Sequence, residues 1–210
     1  MTQGIKLIVG LGNPGPEYDL TRHNAGALFI ERLADRHNVG LRAESKFFGL
    51  TGRLTIDGQD IRLLIPTTFM NRSGQAVAAL AGFYRITPEE ILVAHDELDL
   101  PPGVVKCKKG GGHGGHNGLR DIMKHLSGKS FVRVRIGVSR PPPGWDVANY
   151  VLASWSVDEQ SQLEDVMQRA ADAVEVIVTD GAKAAMNHIN QRRAIAVEPT
   201  PTAPERREHH

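Results

Sequence analysis

The chain has 210 residues, of which 40% are hydrophobic and 23% charged, and its formal net charge is +1 at pH 7. This size and composition predict one well-buried domain and exclude a largely disordered or fibrous chain. Every apolar run falls short of the roughly 20 residues of a membrane-spanning helix, and the N-terminal segment reaches glycine, asparagine and proline too early for a signal peptide. We therefore expect a cytoplasmic protein that makes no membrane contact.

The first predicted element is a buried strand over IKLIVGL, from Ile5 to Leu11. A short continuous apolar run that stops at glycine, asparagine and proline is typical of such strands. An amphipathic helix is predicted from Asn24 to about Asn38. Two apolar segments then flank Asp57 and Gly58, which indicates a β-hairpin, although the link is a little long for a two-residue turn.

Ser73 is predicted to cap a helix that runs to about Tyr84, and ILVAHDEL predicts a further buried strand after it. VVKCKK predicts a short strand whose alternation places Lys106 and Lys108 on one face and Cys107 on the other. Cys107 is the one cysteine, so an internal disulfide and a cysteine-based zinc site are excluded. We expect its thiol in the core rather than at a reactive site.

Asn117 is predicted to cap a helix that ends near Leu126, and VRVRIGVS alternates like a half-buried strand. Ser156 and Glu159 form an S-x-x-E capping box before a long helix with one apolar stripe. Strands that alternate with helices, together with the hairpin, predict an α/β fold with a twisted mixed β-sheet flanked by helices.

We expect this fold to form a single domain over residues 1–191. Residues 192–210 are rich in proline, threonine and charge, and this composition predicts a disordered tail. The closing letters EHH fit either a tag or native sequence.

Two glycine-rich segments have the spacing of phosphate-binding motifs. GLGNPG fits G-x-G-x-x-G, but two prolines remove backbone donors and the next helix begins too late to meet a pyrophosphate. GGGHGG has P-loop spacing, yet histidine and asparagine follow where that loop needs lysine and serine or threonine. We therefore expect no nucleotide cofactor, and we interpret the first segment as a tight turn that directs Asn13 away from the end of a strand.

Charge is unevenly distributed along the chain. Residues 106–140 contain nine basic side chains and a single acid, Asp121. A basic segment around a glycine run favours a polyanionic partner such as a nucleic acid, although an ordinary solvated basic face is the alternative.

Five polar residues lie at predicted strand ends or helix starts, where α/β folds build their sites. They are Asn13, His23, Asn71, Asp96 and Asn117. His23 precedes the first helix, whose N-terminal dipole disfavours the imidazolium and so keeps a neutral base available. Asp96 is placed to accept from one ring nitrogen, leaving the other to take a proton from water. The three amides can bind carbonyls, the water and a developing oxyanion.

A zinc-dependent hydrolase is an alternative interpretation of the histidines. His95, His113 and His116 are close in sequence, and imidazole is a common zinc ligand. No glutamate or cysteine completes a persuasive ligand set, so we expect no metal.

Four segments resemble bacterial peptidyl-tRNA hydrolases, and the likeness extends in order from about Ile5 to about Asn190. They are LIVGLGNPGPEYDLTRHNAG, PTTFMNRSG, HDELDLPPGVVK and KKGGGHGGHNGLRDI. The resemblance implies a monomeric enzyme that needs no metal, cofactor or obligate protein partner. It further implies that the substrate is peptidyl-tRNA, and that the bond cleaved is the ester between a peptide and the terminal ribose of the tRNA.

The resemblance also implies roles for individual residues. His23 is expected to be the catalytic histidine and Asp96 its partner. Substrate and water are expected to be held by Asn13, Asn71 and Asn117, in a cleft also lined by Tyr18, Met70 and His116. Two basic residues, Lys108 and Arg135, are expected to meet a phosphate of the acceptor end.

Two further points rest on the same resemblance. SRPPPGWDVANYVLASW resembles the family's flexible cover over the cleft, although a plain linker is the alternative. A non-enzymatic RNA-binding relative, such as a plastid intron-splicing factor, is a rival for the whole chain. Every expected catalytic position is filled here, and this disfavours that rival.

Overall fold

The computed structural model describes residues 4–190, which contain a seven-stranded sheet. The strands are β1 (Leu7–Gly10), β2 (Arg42–Glu44), β3 (Gly49–Ile56), β4 (Gln59–Pro66), β5 (Ile91–Glu97), β6 (Val105–Lys109) and β7 (Val132–Gly137). The helices are α1 (Ala25–Arg36), α2 (Ser73–Phe83), α3 (Asn117–Leu126), α4 (Val147–Val151), α5 (Val157–Asp180) and α6 (Ala182–Ile189). The predicted disorder of residues 192–210 lies outside the described residues.

The sheet is mixed, as predicted. Its strand order is β2-β3-β4-β1-β5-β7-β6. The four central strands are parallel, while β2–β3, β3–β4 and β6–β7 pair antiparallel. The carboxyl ends of the parallel strands therefore meet at one edge, which is where α/β folds place their sites.

Helices cover both faces of the sheet, because the central strands are apolar on both faces. In β1, Ile8 packs into a core shared with α1 and α5, whereas Leu7 and Val9 pack into a second core with α2 and α3. Cys107 is 2% exposed and belongs to the first core, as predicted. Burial raises the pKa of its thiol to about 12, so it is not a ready nucleophile. None of the described helices is both long and apolar enough to cross a membrane.

The hairpin of β3 and β4 has a tighter turn than the sequence indicated. Ile56 pairs with Gln59, so Asp57 and Gly58 alone form the link, and the expectation of a longer one was wrong. Their φ angles are 49° and 72°. Positive φ at both positions is what a two-residue turn requires to match the twist of the strands.

Two predicted helix caps are displaced by one residue or replaced. Helix α3 begins at Asn117, and the residue that caps it is His116, whose Nδ1 accepts from the amides of Gly118 and Leu119. Ser73 is the first residue of α2, and its hydroxyl donates to the carbonyl of Met70. Both predictions were wrong: at α3 the preceding residue, His116, supplies the acceptor, and at α2 the amide of Gly74 donates to Asp121 of α3 instead. The Ser156 and Glu159 capping box of α5 is confirmed.

Glycines let the N-terminal end of α1, just after His23, approach the sheet closely. A Cβ on Gly26 would overlap the carbonyl oxygen of Ala94 in β5, and one on Gly10 would overlap the carbonyl of Gly26. The first glycine of GLGNPG therefore serves helix–strand packing rather than a pyrophosphate, in agreement with the interpretation as a turn.

We expect Gly26→Ala to destabilise the fold by about 1–3 kcal/mol, because the methyl group overlaps main-chain atoms that cannot move independently. Urea unfolding measures the change. Gly82→Ala is the matched control, since Gly82 also lies in a helix and a Cβ there meets nothing within 4 Å. A Gly26 variant as stable as the Gly82 variant would contradict this interpretation of the contact.

Candidate active site

A cavity of about 710 Å³ opens at the carboxyl edge of the parallel strands. It contains nine of the ten residues that the sequence and the resemblance assigned to the site: Asn13, His23, Met70, Asn71, Asp96, Lys108, His116, Asn117 and Arg135. Tyr18 does not line it. That residue lies in the turn after β1, where its carbonyl accepts from the hydroxyl and the amide of Thr21.

His23 and Asp96 are in contact at the bottom of this cavity. Nδ1 of His23 lies 3.0 and 3.1 Å from the two carboxylate oxygens of Asp96. Asp96 is 4% exposed and His23 9% exposed. Because a carboxylate can only accept, the proton of neutral His23 is on Nδ1, and Nε2 is available to accept a proton.

Asp96 has a second histidine partner. Nε2 of His116 donates to Oδ1 of Asp96 over 2.8 Å, while its Nδ1 caps α3. Both nitrogens of His116 are therefore occupied, which makes it a holder of Asp96 rather than a base. The buried carboxylate gains two donors from elements far apart in sequence.

These contacts determine the charge states of the pair. Burial alone would raise the pKa of Asp96, but the two histidines hold the pKa of its carboxyl well below the usual range. Burial also opposes the charged form of His23, yet its interaction with Asp96 outweighs burial and raises its pKa above the ordinary 6.5. The expectation that helix α1 keeps the imidazole neutral was therefore incomplete, because it left out this carboxylate, which favours the imidazolium.

Asn13 is held by two neighbours, the main-chain amide of Met70 and the side chain of Asn24. Its Oδ1 accepts from the amide of Met70 over 2.7 Å, so its Nδ2 is the donor that remains for a substrate. Asn24 clamps its backbone, accepting from the Asn13 amide over 2.8 Å and donating to the Asn13 carbonyl over 2.9 Å. Sequence reasoning missed Asn24 as a site-supporting residue.

The other two amides lie on the exposed wall of the cavity. Asn117 is at the first turn of α3, and its Oδ1 accepts from Arg120 over 3.0 Å. Asn71 lies in the short 3-10 turn Met70–Arg72. Both residues line the cavity, Asn71 from this turn and Asn117 from the start of α3 beside the glycine run.

The two expected phosphate ligands lie on the same face of the sheet but differ in their partners. Lys108 is exposed on β6. Arg135 on β7 is mostly buried, and its Nε donates to Oε1 of Glu97 over 2.7 Å. The alternation predicted for β6 is confirmed, because Lys106 and Lys108 pair with Arg135 and Arg133.

A family model described as peptidyl-tRNA hydrolase matches residues 7–197. The chain belongs to the peptidyl-tRNA hydrolase family. It is 58% identical over 195 residues to peptidyl-tRNA hydrolase of Vibrio parahaemolyticus, covering 92% of this chain and 100% of that one. It is also 58% identical over 191 residues to the Pseudomonas fluorescens protein, covering 90% and 98% of the two chains. A crystal structure of the Acinetobacter baumannii peptidyl-tRNA hydrolase superposes with a TM-score of 0.87 at 49% identity, covering 92% of this chain and 98% of that one.

The segment that resembled the cover of peptidyl-tRNA hydrolases does border the cavity. Five residues between 146 and 152 line it, most of them in α4. The segment is attached beside His23: the guanidinium of Arg22 stacks 4.3 Å from the ring centroid of Tyr150 and donates to the Tyr150 carbonyl. Arg22 also pairs with Glu159 of α5 over 2.8 Å. These contacts place the segment beside the cavity, and its role as a cover stays a prediction.

The histidines of the zinc alternative do not form a ligand set. Both ring nitrogens of His95 are engaged, one with the carbonyl of Asp96 and the other with Arg133. A different group, His23, Asp96 and His116, has ligand atoms within 4.8 Å of one another. In that group each histidine nitrogen carries the proton that it donates to Asp96, so a metal ion would have to displace both protons.

Proposed function

We propose that the chain hydrolyses the ester bond between an N-blocked peptide and the terminal ribose of tRNA, releasing peptide and free tRNA. The observation that carries this proposal is the buried Asp96, which orients His23 at the bottom of a cavity lined by amides and bordered by basic residues. The family of the chain supports the same substrate.

In the first step, Nε2 of His23 takes a proton from a water molecule as the water oxygen attacks the ester carbonyl carbon. The electron pair of the carbonyl moves onto its oxygen, and we assign the side-chain Nδ2 of Asn13, whose Oδ1 is engaged by Met70, as a donor to that oxyanion. Asp96 stabilises the imidazolium that forms, because its carboxylate already accepts from Nδ1.

In the second step, the oxyanion collapses and the bond between the carbonyl carbon and the ribose oxygen breaks. The ribose oxygen takes the proton from His23, which restores the neutral base. The products are a peptide carboxylate and a tRNA with a free terminal hydroxyl. Asn71 and Asn117 line the cavity where they can bind the peptide and the attacking water.

We further propose that the reaction needs no metal or other cofactor, and that the protein acts as a cytoplasmic monomer without an obligate protein partner. The base and its orienting carboxylate are both supplied by this chain, which supports metal independence. Activity that a chelator removes and zinc restores would overturn that part of the proposal.

The experiment that tests the function compares two substrates. We expect the protein to release the acyl group from N-acetyl-aminoacyl-tRNA and to leave the unblocked aminoacyl-tRNA intact. Binding of both without release would instead indicate the non-enzymatic RNA-binding rival.

Lys108 and Arg135 are proposed to hold a phosphate of the acceptor end. Because this interaction exists in ground state and transition state alike, we expect Lys108→Ala/Arg135→Ala to raise KM and leave kcat nearly unchanged. The salt dependence of binding should flatten by roughly 0.7 to 0.9 in log–log slope for each phosphate that the variant no longer neutralises. Kinetics and binding at several salt concentrations measure both effects.

A short peptidyl-nucleotide that lacks the acceptor stem serves as the substrate control, and the double variant should be close to wild type on it. Arg53→Ala is the matched protein control, since Arg53 is an exposed arginine whose partner, Asp60, lies outside the cavity. Equal impairment on both substrates would show that Lys108 and Arg135 support the catalytic site instead.

Glu97→Gln should lower KM for the full tRNA, because Glu97 competes with phosphate for Arg135.

A further inference from the structure

Arg133 is a buried cation beneath the glycine run that the proposed mechanism does not use. It lies in β7 opposite Lys108 of β6, and its side chain is among those that border the cavity. The residue is 3% exposed. Burying a guanidinium is unfavourable unless its hydrogen bonds and charge are compensated.

The partners of Arg133 are neutral. Its Nε donates to Nε2 of His95 over 3.1 Å, and its Nη1 donates to the carbonyls of Gly112 and Gly110 over 2.9 and 3.3 Å. Within residues 4–190, no carboxylate comes within 4.0 Å of its nitrogens, and the adjacent Glu97 pairs with Arg135 instead. The guanidinium therefore serves these hydrogen bonds rather than an ion pair.

The first of these bonds leads to Asp96. Nδ1 of His95 lies 2.8 Å from the Asp96 carbonyl oxygen, which can only accept, so the His95 proton is on Nδ1. Its Nε2 is then the acceptor that Arg133 requires. Burial, with the nearby His116 and Arg133, holds the pKa of His95 well below its usual value, so the ring stays neutral. Arg133 thus fixes the main chain that carries the orienting carboxylate.

The other two bonds hold the glycine run. Gly110, Gly111, Gly114 and Gly115 have φ between 58° and 90°, so most of the run is irregular backbone without strand or helix bonds. The run ends at His116, which donates to the carboxylate of Asp96. One guanidinium therefore restrains both the main chain of Asp96 and the loop that delivers its second partner.

We propose that Arg133 is a positioning residue for catalysis, which acts through His95 and the glycine run to keep Asp96 and His116 in their positions relative to His23. This proposal rests on the proposed hydrolysis, and it assigns Arg133 no direct contact with the water or the ester.

The first test is Arg133→Ala assayed on the short peptidyl-nucleotide and on the full peptidyl-tRNA. We expect kcat to fall by about 10- to 100-fold on both, since misplacement by about 1 Å has effects of this size. Added guanidinium ion should restore part of kcat, while the same concentration of potassium chloride should not. Arg53→Ala should show neither the loss nor the rescue.

His95 provides a second pair of variants that does not depend on the folding of the arginine variant. Gln at this position can accept from Arg133 through its oxygen and donate to Asp96 through its nitrogen, whereas Leu can do neither. We expect His95→Gln to keep most of kcat and His95→Leu to lose about as much as Arg133→Ala. Equal kcat in the two His95 variants would overturn the proposal.

A third readout does not require activity. The amides of Gly118 and Leu119 donate to His116, so their hydrogen exchange should accelerate in Arg133→Ala and stay unchanged in Arg53→Ala. Unchanged exchange, or a defect confined to KM and the salt slope on full tRNA, would overturn the positioning role. An inactive wild type would reject the proposed function instead, and the exchange result would still decide the role of Arg133.

Discussion

His23→Ala is expected to lower kcat for peptidyl-tRNA by about 10²-fold or more, the low end for removal of a general base, while tRNA binding persists. The reason is local: the imidazole has a buried carboxylate on Nδ1 and its Nε2 is left as the acceptor at the cavity floor. Steady-state kinetics and an equilibrium binding assay with the same substrate measure the two quantities.

The exposed His188 of α6 supplies the control, because His188→Ala removes an imidazole that does not line the cavity. That variant should match wild type in both assays. Near-normal turnover by His23→Ala would remove His23 from the mechanism, and a parallel loss of binding would assign it to substrate recognition.

Asp96→Asn is expected to lower kcat by about 10²- to 10⁴-fold. The side-chain nitrogen of Asn can donate to Nδ1 of His23, whereas a carboxylate can only accept from it. The proton of the neutral ring then moves to Nε2, which presents a proton rather than a lone pair to the water. The pH dependence of the residual activity distinguishes this loss of catalysis from partial unfolding of the variant.

The direction of that pH dependence follows from the charges. The base must be neutral, so wild-type activity should fall as pH drops through a His23 pKa raised above 6.5. In Asp96→Asn the carboxylate no longer stabilises the imidazolium of His23, while burial still disfavours it, so the pKa of His23 should fall. The loss of activity on the acidic side of the pH–rate profile should therefore shift to lower pH, while the maximal kcat also falls. A variant with the wild-type pH–rate profile would argue against the pairing of His23 and Asp96.

The positions of the main site residues could be predicted because they follow from topology. Asn13 lies three residues after β1 and Asp96 lies within β5, and parallel strands bring their carboxyl ends to one edge of a sheet. The helix starts near His23 and Asn117 face the same edge. The alternation of β6 likewise predicted correctly which side of the strand is basic.

The pairing of side chains could not be predicted in the same way. The Arg135–Glu97 and Arg133–His95 contacts each join residues 38 positions apart, and their register depends on how β5 and β7 align. A strand pattern shows which face a side chain occupies but not which neighbour it meets. Sequence reasoning therefore treated Arg135 as a cation free to bind phosphate, whereas its guanidinium forms an ion pair with Glu97.

Short elements at the margins of the fold were also missed. Strand β2 has three residues and helix α4 five, too few for a hydrophobic period to be evident. Helix α6 follows α5 after Gly181, and Asn190 just beyond it exchanges two hydrogen bonds with the main chain of Cys107 on the edge strand β6. Such contacts depend on the assembled sheet.

One measurement tests the central claim most directly, namely that His23 activates water for attack on the ester carbonyl. Excess protein is given a single turnover of N-acetyl-aminoacyl-tRNA in water enriched in ¹⁸O, and the products are analysed by mass spectrometry. We expect one ¹⁸O in the carboxylate of the released acyl group and none in the protein or the tRNA. Unlabelled product together with ¹⁸O in Asp96 would show that the carboxylate attacks the ester itself, and would contradict the role of His23 as the base that activates water.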